Sequence, residues 1–318
     1  MQRTLSSQCA DTVFMVRPAC FGFNPQTAAS NGMQQPDSAD RADTARLAQA
    51  EFDGYVRALE SEGVRVVVGA DAPVPARPDA VFPNNWLSFH ADGTLVLYPM
   101  LAPNRRLERR DELIERACEV AGFRPRRRLD LTAHERAGRF LEGTGSLVLD
   151  HRARVAYASR SARTDEQLAR EWARELGYAA EVFDASDARG EPYYHTNVIM
   201  WIGSRCAMVC AEAIAPADRE RVLAQLRRDA DRELIEIDRA AVAAFAGNML
   251  ELASWDEALG DSSVLVMSAT ARAALDGPLM RRLGACVDSI LVVPVPTIER
   301  VGGGSARCML AEIPEVIA

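Results

Sequence analysis

The stretch Ser146-Leu-Val-Leu-Asp150-His151-Arg-Ala-Arg154-Val-Ala-Tyr-Ala158 sets two short apolar runs, 146–149 and 154–158, on either side of a turn at Asp150-His151, and so predicts a β-hairpin. Behind it, residues 164–176 carry apolar side chains at helical spacing after Thr164, which is placed to cap the helix. Outward in both directions the pattern recurs. Residues 85–90 and 94–98 flank Ala91-Asp92-Gly93 ahead of a helix near 106–121, and 198–202 and 207–210 flank Gly203-Ser204 ahead of a helix that starts after Ala215-Pro216. At the beginning of the chain a strand at 12–16, a helix over 41–62 and a strand at 64–68 fit the scheme. Towards its end the fitting elements are a strand at 263–267, a helix over 269–275, a strand at 290–293 and a last run after Gly302-Gly303-Gly304. A hairpin, a helix and a return strand repeated about five times, at a period of roughly 60 residues, bury their apolar faces if the units close around a common axis. The reading is an α/β fold: a closed ring of ββαβ modules, with residues 1–318 as one domain. An open α/β sheet with irregular insertions satisfies the same periodicity. No Gly-x-Gly-x-x-Gly opens the first helix, which weakens a dinucleotide-binding fold. The polar loop 22–40 has the length of lids, binding loops and plain disordered surface alike.

The chain has 318 residues, 48% hydrophobic and 26% charged, with a mean hydropathy of −0.12, the composition of an ordinary globular enzyme. All 37 basic residues are Arg. That excludes a Lys Schiff base and a Lys-containing P-loop. A net charge of −8 argues against sequence-independent nucleic-acid binding and towards a small-molecule partner. Seven scattered Cys, in a start without signal-peptide character, read as reduced cytoplasmic thiols. No apolar run reaches the length of a membrane span. A homodimer stays open.

Val301-Gly-Gly-Gly-Ser-Ala-Arg-Cys308-Met-Leu places a Cys at the mouth of an apolar strand after a run that lets backbone approach a ligand. Cys308 reads as a nucleophile or as a small buried hydrophobe. Of four His, His195 in Tyr193-Tyr-His195-Thr-Asn197-Val-Ile-Met stands before a buried-looking strand, as a proton carrier or as a satisfied core His. Glu142 in Leu141-Glu142-Gly-Thr-Gly-Ser is a catalytic carboxylate or a turn carboxylate. Asp79 and Asn85 in Pro78-Asp79-Ala-Val-Phe82-Pro-Asn-Asn85-Trp are pocket polar groups or turn residues. Alternation along one strand accounts for Cys206 and Cys210 better than a zinc site does, so no metal is expected.

In this order, Pro-Asp-x-Val-Phe-x-x-Asn, Leu-Glu-Gly-x-Gly, Ser-x-Arg-Thr, a His before a strand, Gly-Asn-Met-Leu and Gly-Gly-Gly-x-x-x-Cys, the motifs resemble the guanidine-modifying superfamily. It includes arginine deiminase, dimethylarginine dimethylaminohydrolase, succinylarginine dihydrolase and the amidinotransferases. The resemblance runs from Thr12 to Glu312 and is strongest to bacterial arginine-deiminase-related citrulline-utilisation hydrolases. It implies the five-bladed, pseudo-symmetric α/β propeller called the pentein fold, with no cofactor. It also implies Cys308 as nucleophile, His195 as general acid/base and Glu142 as its acidic partner. Asp79, Phe82 and Asn85 match the segment that holds the guanidino or ureido head, Arg105 and Arg163 match carboxylate-binding arginines, and Asn248 matches an Asn taken as structural.

Asn85, Gly145 and Asn197 stand where the family pattern places Asp. A buried cation short of counter-charges is costly, whereas a neutral ureido group needs the donors and acceptors that Asn supplies. The expected reaction is therefore hydrolysis of citrulline to ornithine, ammonia and carbon dioxide through a covalent Cys308 intermediate, with Asn197 among the substrate-binding residues. Guanidino hydrolysis, amidinotransfer and a catalytically silent binding pentein are the alternatives.

Overall fold

From Thr12 to Val16 every side chain is buried, Val13 and Met15 in one apolar cluster, Phe14 and Val16 in another. Successive strand residues point to opposite faces, so such a strand must be covered on both sides. The computed structural model, which describes residues 8–37, 40–256 and 260–317, shows that cover in a mixed α/β fold with five three-stranded sheets.

In each sheet the middle strand pairs antiparallel with one neighbour and parallel with the other. Thr12–Arg17 lies between Ala311–Ile313 and Arg65–Ala70, and Thr94–Leu97 between Leu87–Phe89 and Arg127–Asp130. Val155–Ser159 lies between Leu147–Asp150 and Ala179–Phe183. Cys206–Val209 lies between Met200–Ile202 and Glu233–Glu236, and Gly260–Ser268 between Leu250–Asp256 and Ser289–Val293. A parallel neighbour requires a crossover, supplied by Arg41–Ser61, Asp111–Ala121, Glu166–Leu176, Pro216–Leu226 and, in the last sheet, the pair Ala269–Ala274 and Gly277–Cys286. Glu166–Leu176 shows how the sequence sets one of them. Leu168, Ala169, Trp172, Ala173 and Leu176 bury one stripe, and Gly177 ends the helix in the left-handed conformation.

Apolar clusters join the first sheet to the second, the second to the third, the third to the fourth and fifth, and the fifth back to the first. The first sheet draws its antiparallel edge from the far end of the chain, so Ala311–Ile313 carries the segment holding Cys308 against Thr12–Arg17. No helix among the described residues is long and apolar enough to cross a membrane.

Several sequence expectations need correction. The cap of Glu166–Leu176 is Asp165, which accepts from the Leu168 N–H, not Thr164. The strands expected from 85 and 198 begin only at Leu87 and Met200, because short helical turns precede them. The helix expected near 106–121 is a turn, Pro103–Glu108, followed by Asp111–Ala121. The helix expected over 269–275 is followed by a second, Gly277–Cys286. Leu250–Asp256 was not anticipated, and the return strands Arg127–Asp130, Ala179–Phe183 and Glu233–Glu236, expected from the repeat, were not located; they are partly exposed edges carrying charged residues, so no apolar run announces them. The 22–40 loop holds a one-turn helix, Pro25–Ala28, while Ser38 and Ala39 lie outside the described residues.

Candidate active site

A short helical turn precedes the antiparallel edge strand of four sheets: Pro83–Asn85, Gly143–Ser146, Thr196–Val198 and Ala306–Met309. In the fifth sheet the chain turns at Phe245, with φ 63°. Asn85, Gly145, Asn197, Asn248 and Cys308 occupy matching places, each followed two residues later by Leu or Ile. Gly143–Ser146 packs against Pro83–Asn85 and Thr196–Val198, and Pro83–Asn85 against Ala306–Met309. Residues far apart in the chain thus meet because equivalent turns touch.

At this meeting point lies a small cavity. Asp79, Phe82, Asn85, Arg105, Arg163, His195 and Cys308 line it, and Glu142 and Asn197 stand behind, bonded to His195 and facing Cys308. The structure therefore brings all the singled-out residues together.

His195 lies 2.9 Å through Nε2 from Glu142 Oε2. A carboxylate only accepts, so Nε2 donates and Nδ1 keeps its lone pair. Nδ1 faces Gly145, where a Cβ would lie 2.6 Å from both Nδ1 and Asn85 Nδ2; glycine makes room for the two side chains. Burial pulls the imidazole down to about 4 although the Glu142 hydrogen bond and charge push it up, so it is neutral at neutral pH. Burial alone would raise the Glu142 carboxyl, but Arg163, His195 and Arg105 hold it well below its ordinary value. The Cys308 sulfur meets two amides, Asn248 Nδ2 at 3.2 Å and Asn197 Nδ2 at 3.7 Å.

Arg105 forks onto Glu108 with two 2.9 Å bonds and donates through Nη1 to Asn85 Oδ1 at 2.8 Å. Burial pushes Glu108 up to about 7 against the pull of Arg105. A guanidinium has no acceptor, so the Asn85 atom facing it is oxygen. The Asn85 nitrogen is thereby turned towards Asn84 Oδ1, 3.1 Å away, and the space above Gly145. Arg163 donates to Ser30 Oγ at 3.0 and 2.8 Å, to the Thr27 carbonyl at 3.1 Å and to Glu142 at 3.3 Å. Both guanidinium forks are thus held by protein groups, which differs from the expectation of two arginines open to a substrate carboxylate. Asp79 accepts from Asn24 Nδ2 at 2.7 Å through Oδ2, while its buried Oδ1 has no hydrogen-bond partner among the described residues.

The 22–37 segment contributes Thr27 and Asn31 to the cavity wall. Asn31 Nδ2 reaches the carbonyls of Gly302 and Gly303 at 3.3 Å. Gly303 sits at φ 65°, and a Cβ there would press to 2.7 Å on Asn31 Nδ2 and Gln34 N, so the middle glycine serves both conformation and contact. The cavity has room for about one water.

Sequence reasoning missed Glu108, Asn24, Thr27, Asn31 and the contact of Asn248 with sulfur. Glu108 had a signal: it stands three residues after Arg105, opposite in charge, on a helical turn. Among the described residues no group of three or more His, Cys, Asp or Glu gathers as a metal site would need.

An arginine dihydrolase from cyanobacteria, ArgZ, superposes with a TM-score of 0.72 at 15% identity, over 96% of this chain and 41% of the ArgZ chain. The present chain thus spans well under half of that protein. The N-terminal domain of ArgZ, solved with substrate, matches with a TM-score of 0.71 at 16% identity, over 96% of this chain and 99% of that domain. DDAH from Pseudomonas aeruginosa, solved as a mutant complexed with citrulline, gives 0.65 at 15% identity over 96% of this chain and 99% of its own. No curated protein sequence matches. The family described as N,N dimethylarginine dimethylhydrolase, eukaryotic, matches residues 17–315. The chain belongs to that family, and with it to the pentein superfamily of guanidino-modifying enzymes.

Proposed function

We propose that this protein is a Cys-dependent hydrolase of the ureido group of a citrulline-like amino acid, releasing ammonia and, after decarboxylation, carbon dioxide and ornithine. Cys308 is its nucleophile, His195 its general acid/base and Glu142 the partner that orients the imidazole. In the same reading residues 1–318 form one domain, and the five sheets are blades of a ring whose axis runs through the turns bearing Asn85, Gly145, Asn197, Asn248 and Cys308.

The carrying observation is the orientation of Asn85. With Arg105 on its oxygen, Asn85 offers the cavity an N–H, which suits the carbonyl oxygen of a ureide and opposes the N–H edge of a guanidinium. The free oxygen of Asp79 then accepts from a ureido N–H.

Neutral His195 takes the thiol proton through Nδ1. The Cys308 sulfur attacks the ureido carbon, and His195 returns the proton to the terminal nitrogen, which leaves as ammonia. An S-carbamoyl enzyme remains, bonded through nitrogen to the rest of the substrate. Water, deprotonated by His195, adds to the same carbon; the C–S bond breaks, the proton returns to sulfur, and the carbamate product loses carbon dioxide. Entry of substrate requires the 22–37 segment to lift and Arg163 to exchange Ser30 for the incoming carboxylate, a fork it can hold bidentately.

A guanidino substrate is the second reading, supported by family membership and by the acidic Asp79 beside the cavity. Incubation with citrulline, arginine and dimethylarginine, following ornithine, citrulline and ammonia, separates the two. Ornithine and ammonia in equal amounts from citrulline supports the first reading; citrulline accumulating from arginine or dimethylarginine, with citrulline itself inert, replaces it with the second.

A further inference from the structure

We infer that Asn248 is a catalytic hydrogen-bond donor that stabilises the negative charge Cys308 gains when His195 takes its proton. The inference rests on Cys308 being the nucleophile, but its evidence is separate. Asn248 Nδ2 lies 3.2 Å from the sulfur and 3.0 Å from the Asn197 carbonyl oxygen. A carbonyl only accepts, so the shared atom is the nitrogen, and its two hydrogens serve one acceptor each. The opposite flip would set the amide oxygen against that carbonyl. The chosen orientation leaves Asn248 Oδ1 buried without a partner among the described residues, a cost accepted to keep N–H on sulfur.

The amide is held rigidly. Asn248 N donates to the Phe245 carbonyl at 2.9 Å. A Cβ on Gly247 would lie 2.1 Å from Val198 O, so the turn is pressed directly on the backbone beside Asn197. An N–H bonds a thiolate more strongly than a thiol, and a fixed donor therefore favours ionisation.

Charged and titratable neighbours have other partners. His195 and Arg163 bind Glu142, Arg105 binds Glu108, and Asp79 binds Asn24. Arg307 bonds the Leu310 carbonyl and Glu312, and the Tyr55 and Tyr194 hydroxyls donate to the Ala306 and Gly303 carbonyls. The Asn197 amide lies side-on to the sulfur, Nδ2 at 3.7 Å and also on the Thr144 carbonyl, Oδ1 at 3.9 Å where it accepts from the thiol, so Asn248 is the principal donor.

The test is the pH dependence of Cys308 alkylation by iodoacetamide, read by peptide mass in the wild-type protein, Asn248→Ala and Asn248→Ser, with Cys308→Ser as blank. Asn248→Ala is expected to slow alkylation about tenfold at pH 7, with the high-pH plateau unchanged and the curve displaced to higher pH. Asn248→Ser, which keeps a small donor, should lie between and carries the comparison if the Ala variant fails to fold. Curves that superimpose on wild type, whatever happens to the melting temperature, overturn the inference. Turnover surviving in Cys308→Ser would instead overturn the nucleophile assignment, and the titration would still read the amide.

Discussion

On one side of the cavity Arg105, Arg163, Glu108 and Glu142 are bonded in a closed set of charges reaching the His195 ring. On the other, the Cys308 sulfur faces the neutral amides of Asn197 and Asn248. The charged side spends its ionic contacts on itself, so its role is orientation: Glu142 fixes the imidazole and Arg105 fixes the Asn85 amide. The amide side gives the Cys308 sulfur hydrogen-bond donors in place of a fixed counter-ion.

The largest effect should come from the amide side. Cys308→Ser is expected to lower turnover by at least about 10³-fold while leaving citrulline binding by calorimetry intact. On the charged side, Glu142→Gln should cost about 10²-fold in kcat, because the amide oxygen can still accept from Nε2 but the charge that stabilises the imidazolium and holds Arg163 is gone; an unchanged kcat in a folded variant would contradict the role of that charge. Where the sides meet, Gly145→Ala inserts a Cβ at 2.6 Å from His195 and Asn85 and should lower kcat about tenfold by moving the ring. Asn85→Asp should shift the ratio of kcat/KM values towards guanidino substrates by tenfold or less, on the order expected for one altered contact; no change in that ratio breaks the charge argument.

The smallest effect is one of pH. His195 must be neutral to take the thiol proton, and burial lowers it from 6.5 to about 4. Protonation therefore removes activity only as pH falls through about 4, and the acid limb of kcat/KM belongs there. A limb at 6.5 would mean an imidazole more solvated than this site allows.

Hairpins were legible because both faces of a middle strand are buried and leave apolar runs, as in Val155–Ser159. Edge strands such as Glu233–Glu236 were not, since exposed positions accept Glu. The cluster of Cys308, His195 and Glu142 was legible through resemblance, and the equivalent turns give the physical reason for it. The engagement of Arg105 with Glu108 and of Arg163 with Ser30 was hidden, because sequence shows that an arginine is present but not which acceptor reaches it first. Asn248 passed as structural for a related reason: its contact with sulfur depends on how two distant turns dock.

The most direct test of a ureide hydrolase is rapid acid quenching during turnover with citrulline, followed by peptide mass analysis. The expected result is an adduct on the Cys308 peptide equal to citrulline less ammonia. An adduct formed only with arginine or dimethylarginine, or one carried by another cysteine, would contradict it.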